Sequence, residues 1–197
     1  MEGVEAGLIA ELIVSDGGSS DDTQALADAW GARIVSGPAS RGGQLRRGCA
    51  QARADWFLVL HADTVLQPGW TAAVGAHLET RKAGYFQLRF DRGGRVVAAW
   101  ANLRARFLGL PYGDQGLLIP RARYAHVKGY ADIPLMEDVA MVRALRGQLA
   151  GLDAVAVTSS AKYRRQGWIR RGVRNLWTLV RYFAGTDVAT LARRYRR

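Results

Sequence analysis

Three acidic segments sit where the chain must turn, and carboxylates in such places can hold a cation, take a proton or accept from a hydroxyl. The first is Asp16-Gly-Gly-Ser-Ser-Asp21, directly after Leu12–Val14. Gly17 and Gly18 permit a tight turn with close backbone approach, and Ser20 or Asp21 can cap a following helix. Asp16 precedes that cap, where a carboxylate is expected to help neither strand nor turn, and could instead accept from a base N–H or a ribose hydroxyl. The second is His61-Ala-Asp63-Thr64, after the unbroken apolar run Trp56–Leu60. A carboxylate ending such a run must face solvent or a partner, because burying it alone is costly. Beside a diphosphate, Asp63 could hold a divalent cation, Mg²⁺ or Mn²⁺; the plainer reading is a turn or capping residue before Pro68. The third is Pro134-Leu-Met-Glu137-Asp138, which opens a helical pattern. The helix dipole favours acids in a first turn, but two are more than a cap requires. One could act as general base toward a hydroxyl.

Two further segments could bind rather than react. Ser40-Arg41-Gly-Gly-Gln44 is a glycine-rich helix entry without the spacing of a P-loop or a dinucleotide fingerprint. Arg41 and the backbone amides there could meet a phosphate, or the loop is simply solvated. Gly113-Asp114-Gln115 offers a carboxylate and an amide to sugar or acceptor hydroxyls, or is a turn after Pro111. His61, His77 and His126 are scattered, and Cys49 is the one cysteine. A multi-cysteine zinc site and an internal disulfide framework are excluded.

The elements that must position these groups alternate along the first half. Strands are expected at Leu12–Val14, Ala32–Val35, Trp56–Leu60 and Tyr85–Phe90, with helices at Asp21–Trp30, Gly43–Arg53 and Trp70–Glu79 between them. That pattern argues for βαβ units and a mostly parallel sheet, whose ligands gather at the carboxyl ends of the strands. The second half is less regular: a helix at Val97–Leu108, strands at Gly116–Ile119 and Ala154–Val157, helices from Arg121 and Glu137, and two helical stretches to the end.

Of the 197 residues 49% are apolar, which suits one globular domain with its own core. The net charge of +11 is not spread evenly. Residues 162–197 hold eleven of the 28 basic residues and one of the 17 acids, so nearly all the excess lies there. With residues 1–161 close to neutral, nucleic acid is not the expected partner. The N-terminus lacks a basic stretch followed by an apolar core, and no apolar run approaches the ~20 residues of a membrane span. A cytoplasmic protein is expected.

In this order the motifs resemble the family-2 glycosyltransferases of the GT-A fold, and more narrowly the bacterial subgroup described as radical-SAM/selenodomain-associated transferases. The matching stretches are Asp-Gly-Gly-Ser-Ser-Asp (16–21), Arg-Gly-Gly-Gln-Leu (41–45), Phe-Leu-Val-Leu-His-Ala-Asp-Thr (57–64), Gly-Asp-Gln-Gly (113–116), Pro-Leu-Met-Glu-Asp (134–138) and Leu-Ala-Arg-Arg-Tyr-Arg (191–196). The resemblance implies an α/β, GT-A (Rossmann-like) fold and an inverting transfer of sugar from a nucleotide-diphosphate donor to an as yet unknown hydroxyl acceptor. It places Asp16, Gly17, Arg41 and Gln44 on the nucleotide, Asp63 and His61 at the metal, Asp114 and Gln115 on sugar or acceptor. Asp138, in its pair with Glu137, becomes the base. His61 stands where many relatives have a carboxylate. Relatives also begin with a strand and helix ahead of the Leu-Ile-Val strand, a unit of roughly 30 residues. The chain is therefore expected to be N-terminally truncated, with an exposed sheet edge that invites self-association.

The alternative function is a non-catalytic scaffold acting as a basic membrane-surface or nucleic-acid-associating module. A nucleotidyltransferase would need a glycine-rich phosphate loop near the N-terminus, and none is present. The expected division is a catalytic domain over 1–161 and a basic amphipathic extension over 162–197. On a helical wheel Ile169, Val173, Leu176, Trp177, Val180 and Phe183 form one stripe and Arg170, Arg171, Arg174 and Arg181 another. Either the apolar stripe covers the catalytic domain while the arginines are solvated, or the helix rests on anionic lipid at the inner membrane surface.

Overall fold

The computed structural model describes residues 2–196. A short helix α1 (Glu2–Glu5) precedes β1 (Ile13–Asp16), α2 (Thr23–Ala29), β2 (Arg33–Ser36), α3 (Arg41–Gln51) and β3 (Trp56–Val59). The chain continues through β4 (Thr64–Leu66), α4 (Trp70–Leu78), β5 (Ala83–Phe90), α5 (Arg95–Leu108), a single 3₁₀ turn at Gly113–Gln115, and β6 (Leu117–Pro120). Helices α6 (Arg121–His126) and α7 (Glu137–Ala144), strand β7 (Leu149–Thr158), and helices α8 (Ala161–Gln166), α9 (Trp168–Phe183) and α10 (Val188–Arg196) complete it.

The expected βαβ start is present: β1 and β2 pair in parallel, Ile13 opposite Arg33, with α2 as their connection. The rest of the sheet corrects the expectation of mostly parallel strands. Five strands lie in the order β3-β6-β5-β7-β4. Only β5 and β7 are parallel; β3 with β6, β5 with β6 and β4 with β7 run antiparallel. Return strands from the second half are inserted between strands of the first, a long-range choice that local periodicity does not encode. Among the described residues β1 pairs with no strand but β2, and β3 forms one border of the five-stranded sheet.

Burial explains the strand composition. In β6, Ile119 packs with Phe57, Tyr130, Met141 and Leu145 on one face, while Leu118 packs with Trp70, Phe86, Leu152 and Ala156 on the other. A strand covered on both faces has no polar alternation, hence Leu-Leu-Ile-Pro. A third cluster joins Leu135, Met136 and Val139 around the start of α7 to Leu179 of α9 and Leu191 and Ala192 of α10. The last two helices thus share a core with the segment that carries Glu137 and Asp138.

Candidate active site

A cleft of about 130 Å³ opens where β3, β7, α7 and the C-terminal helices meet. Three of the carboxylates singled out in the sequence line it: Asp63, Asp114 and Asp138, together with His61 and Arg41. Asp63 ends the turn between β3 and β4 and directly precedes β4. Its main-chain carbonyl accepts from the amide of Ser159, which fixes it to the end of β7. Its side chain is 41% exposed and has one cationic neighbour, Lys162 Nζ at 3.6 Å.

Asp138 is the second residue of α7. One carboxylate oxygen accepts from the Gly113 amide at 2.9 Å and the other from Val139 N at 2.8 Å. Met136, the residue before the helix, has φ of 65°. A left-handed conformation is strained for a residue with a side chain, at a cost of about 1–3 kcal/mol, and here it turns the two acids sharply into place. Glu137 goes a different way. It is 1% exposed, does not line the cleft, and its Oε1 accepts from Arg41 Nε at 2.7 Å. Burial, then the neighbouring Asp138, push its carboxyl above the usual range, against the pull of Arg41. Of the pair, Asp138 alone faces the cleft.

Asp114 lies in the 3₁₀ turn, and its Oδ1 is sealed from solvent without a hydrogen-bond partner. Burial chiefly raises its pKa to about 6; Arg104 opposes this, while Asp138 and Asp63 add to it. His61 is held below its ordinary value by burial and then by Arg41, so the neutral ring is favoured. The Nε2–Cε1 edge of that ring fills the space where a Cβ on Gly113 would lie, 2.3 Å from Nε2. Only glycine fits at 113.

Four expected residues do other work. Asp16 was expected to serve neither strand nor turn, and the structure reverses this. Its carboxylate accepts from the amides of Gly18 and Ser19, from Ser19 Oγ at 2.6 Å and from Gln24 Nε2 at 2.8 Å. Those bonds, the two side-chain ones foremost, lower its pKa to about 2. It ties its own turn together and does not line the cleft. Gln44 donates to Ser15 O and accepts from Ser40 N, with Gly17 packed against its amide, so both residues join α3 to the end of β1. Gln115 is fully buried: its Nε2 donates to Phe86 O at 3.1 Å, which anchors the turn below Asp114.

The glycine-rich entry to α3 is also a packing device rather than an open amide cradle. Gly42 N donates to Ile133 O, and Gly43 N to the capping Ser40 Oγ. A Cβ on Gly42 would sit 1.9 Å from the Ala131 carbonyl oxygen. Arg41 lines the cleft: with Nε on Glu137, neither Nη makes a hydrogen bond among the described residues.

Sequence reasoning did not place Tyr112, Lys162, Tyr163, Arg171, Asn175 and Tyr195 at the site, yet all six line the cleft. Most of them come from the C-terminal helices. Asn175 Nδ2 donates to Tyr163 Oη, and Tyr195 Oη donates to Asn175 Oδ1 at 2.9 Å. The signal was the interleaving of tyrosines with the basic residues, visible but not directional. Among the described residues no three His, Cys, Asp or Glu side chains gather as a ready-made metal cluster.

The family model for glycosyl transferase family 2 matches residues 6–141. Glucosyl-3-phosphoglycerate synthase from Mycobacterium tuberculosis, solved with Mn²⁺, uridine diphosphate and phosphoglyceric acid, is 24% identical with a TM-score of 0.56, over 81% of this chain and 61% of that one. TarS 1–349 from S. aureus is 13% identical with a TM-score of 0.61, over 86% of this chain and 54% of that one. A mycobacterial protein at 25% identity gives a TM-score of 0.50, over 77% of this chain and 55% of that one. The chain thus spans little more than half the length of these solved structures. No curated protein sequence matches it. A curled mixed sheet flanked by helices is the GT-A arrangement the motifs implied, and with more than half of the residues matched to one family model, the chain belongs to glycosyl transferase family 2.

Proposed function

We propose that the chain transfers a sugar from a nucleotide-diphosphate donor to a hydroxyl acceptor, with Asp138 as the general base. The observation that supports this most directly is the convergence of Asp63, Asp114 and Asp138 on one cleft from positions far apart in sequence. Asp138 is held by two main-chain amides, which leave its carboxylate fixed and directed at whatever hydroxyl enters. It takes the acceptor proton as the oxygen attacks the anomeric carbon from the face opposite the diphosphate, giving inversion. Asp114, whose pKa of about 6 leaves it able to donate or accept near neutrality, binds a sugar or acceptor hydroxyl. The Nη groups of Arg41, without a hydrogen bond among the described residues, are the cleft's donors for the phosphates of a bound nucleotide in this reading.

A divalent cation fits the donor set on one condition. Mg²⁺ commonly takes one or two carboxylates and completes its shell with substrate phosphate. Asp63 is exposed enough to serve, and neutral His61 is the second donor the chain can offer. When bound, the cation supplies Lewis-acid neutralisation of the departing diphosphate. Because no third donor gathers there, cation and nucleotide should bind together. The non-catalytic alternative is not favoured: a family match and a carboxylate-lined cleft are what an enzyme needs and a basic scaffold does not.

The test is calorimetry with nucleoside diphosphates, with and without Mn²⁺ or Mg²⁺. Uridine diphosphate comes first, since the synthase of similar fold was solved with it. The expected result is negligible cation binding alone and nucleotide binding that the cation strengthens. Asp63→Ala abolishes that strengthening. Asp138→Asn keeps it but loses transfer to the acceptor, because a base acts mainly in the transition state. Unchanged cation dependence in Asp63→Ala, or normal turnover in Asp138→Asn, would refute the roles.

A further inference from the structure

The wheel left two placements open for α9, its apolar stripe covering the catalytic domain or resting on lipid, and in the structure the stripe faces outward. Ile169 is 83% exposed, Val173 61% and Trp177 60%, with Leu176, Val180 and Phe183 also exposed. Arg171 and Arg174 turn inward instead. Both donate to Gln166, and their guanidinium groups lie 5.1 Å from the rings of Tyr163 and Tyr195 respectively. Thr178 and Leu179, on the same side, are buried. One face of α9 therefore lends Arg171 and Asn175 to the cleft, and the opposite face presents a row of apolar side chains to the outside.

Helix α5 repeats the pattern. Its buried side is Ala98, Ala101, Arg104 and Ala105, while Val96, Trp100, Leu103 and Phe107 are exposed on the other. The start of α5 adjoins the start of α9: Val97 and Ala98 share a cluster with Trp168 and Phe90. Nothing in the folding of this chain stabilises two outward apolar stripes, and exposed patches of this kind mark surfaces that meet something else.

Charge identifies the partner. On the wheel Arg170 and Arg181 border the stripe on the side of Trp177, and Arg164 and Arg165 are exposed on the preceding helix α8. Arg95 and Arg106 are exposed along α5. Between residues 162 and 197 the one acid is Asp187. A second copy of the chain would bring the same positive field against itself. A nucleic-acid duplex would gain nothing from six apolar side chains. An apolar stripe with a tryptophan at its edge and a basic border matches an anionic bilayer, whose acyl boundary takes the stripe and whose phosphates take the arginines. No described helix is long and apolar enough to cross a membrane, so the contact is peripheral. We propose that the outer faces of α9 and α5 dock the protein on anionic lipid, with the cleft on the inner side of α9. This reading stands independently of sugar transfer.

The experiment is sedimentation of the full chain with vesicles of phosphatidylcholine alone or mixed equally with phosphatidylglycerol. Binding is expected only with the anionic vesicles, and it weakens as salt is raised. Trp177→Glu should lower it roughly tenfold or more. Arg170→Glu with Arg181→Glu should do the same by reversing the border charge. Trp177 and Arg170 are exposed and Arg181 is half-buried at the border of the stripe, so the thermal melt of Trp177→Glu should match the parent, and Arg170→Glu alone should weaken binding in the same direction as the double variant. Leu26→Glu, on the exposed side of α2, controls for added charge and should leave binding intact. The proposal fails if the parent does not sediment with anionic vesicles at low salt, or if Trp177→Glu binds them equally. It also fails if the free chain is a dimer in ultracentrifugation that Trp177→Glu dissociates, since the stripe would then be a subunit contact.

Discussion

Removing Arg41 should do more harm than removing its partner, and the harm should depend on pH. In the native protein Glu137 is 1% exposed, with Oε1 on Arg41 and Oε2 without a partner, whereas the Arg41 side chain is 47% exposed. Arg41→Ala leaves a buried carboxylate beside Asp138 with nothing to neutralise it. Breaking a buried pair this way costs about 3–5 kcal/mol. Water can enter where the half-exposed arginine stood, so the low end applies, about 3 kcal/mol, or roughly 6–12 °C in Tm for a domain of this size. The sign with pH follows from the raised pKa of Glu137. A carboxyl that holds its proton longer in the folded state than in the unfolded one loses stability as pH rises from the unfolded value through the folded one. Without the arginine that window extends further upward, so the deficit of Arg41→Ala should grow as pH rises above the ordinary carboxyl range. Glu137→Gln keeps an acceptor for Arg41 and should cost only about 1 kcal/mol. The double variant should recover most of what Arg41→Ala loses. Urea titrations at several pH values measure all four proteins. A deficit that stays constant with pH, or a double variant no more stable than Arg41→Ala, would show that the pair is not what holds α3 to α7.

Two further outcomes follow from the same physics. Asp114, raised to about 6, should make stability fall by up to roughly 3 kcal/mol as pH rises from its ordinary value to about 6, and Asp114→Asn should flatten that part of a urea-midpoint profile. Gly42→Ala forces a methyl onto the Ala131 carbonyl, an overpacking of about 1–3 kcal/mol or more, while Gly43→Ala meets side-chain atoms of Asp132 and Ser40 rather than backbone and should lose less in the same titration.

What could be read from the sequence divides along physical lines. Trp56–Val59 and Leu117–Ile119 announced themselves as strands because burial on both faces leaves an unbroken apolar run. Their antiparallel pairing did not, since which strands become neighbours is a long-range matter. The three-residue β4 is too short to carry a pattern of its own and exists through its pairing with β7. At the cleft, Asp63, Asp114 and Asp138 were legible because a carboxylate at the end of an apolar segment has few structural reasons to be there. Asp16 met the same test and is a turn residue, since serine and glutamine three and eight positions on supply partners that spacing alone does not reveal. For α9 the wheel separated apolar from basic residues correctly but not which side turns inward. That depended on Tyr163 and Tyr195, tyrosines from neighbouring helices that can stack on arginine.

The link between Gly113 and Asp138 gives the proposed base an unusual tolerance to sequence drift. Its donor is a main-chain N–H, so no side-chain exchange at 113 other than proline deletes the bond itself. What restricts 113 to glycine is a different neighbour, the His61 ring that occupies the Cβ position. Positions 61 and 113 are therefore bound as a pair: a smaller residue at 61 would release 113 from glycine, and the hydrogen bond that orients Asp138 would persist through both exchanges.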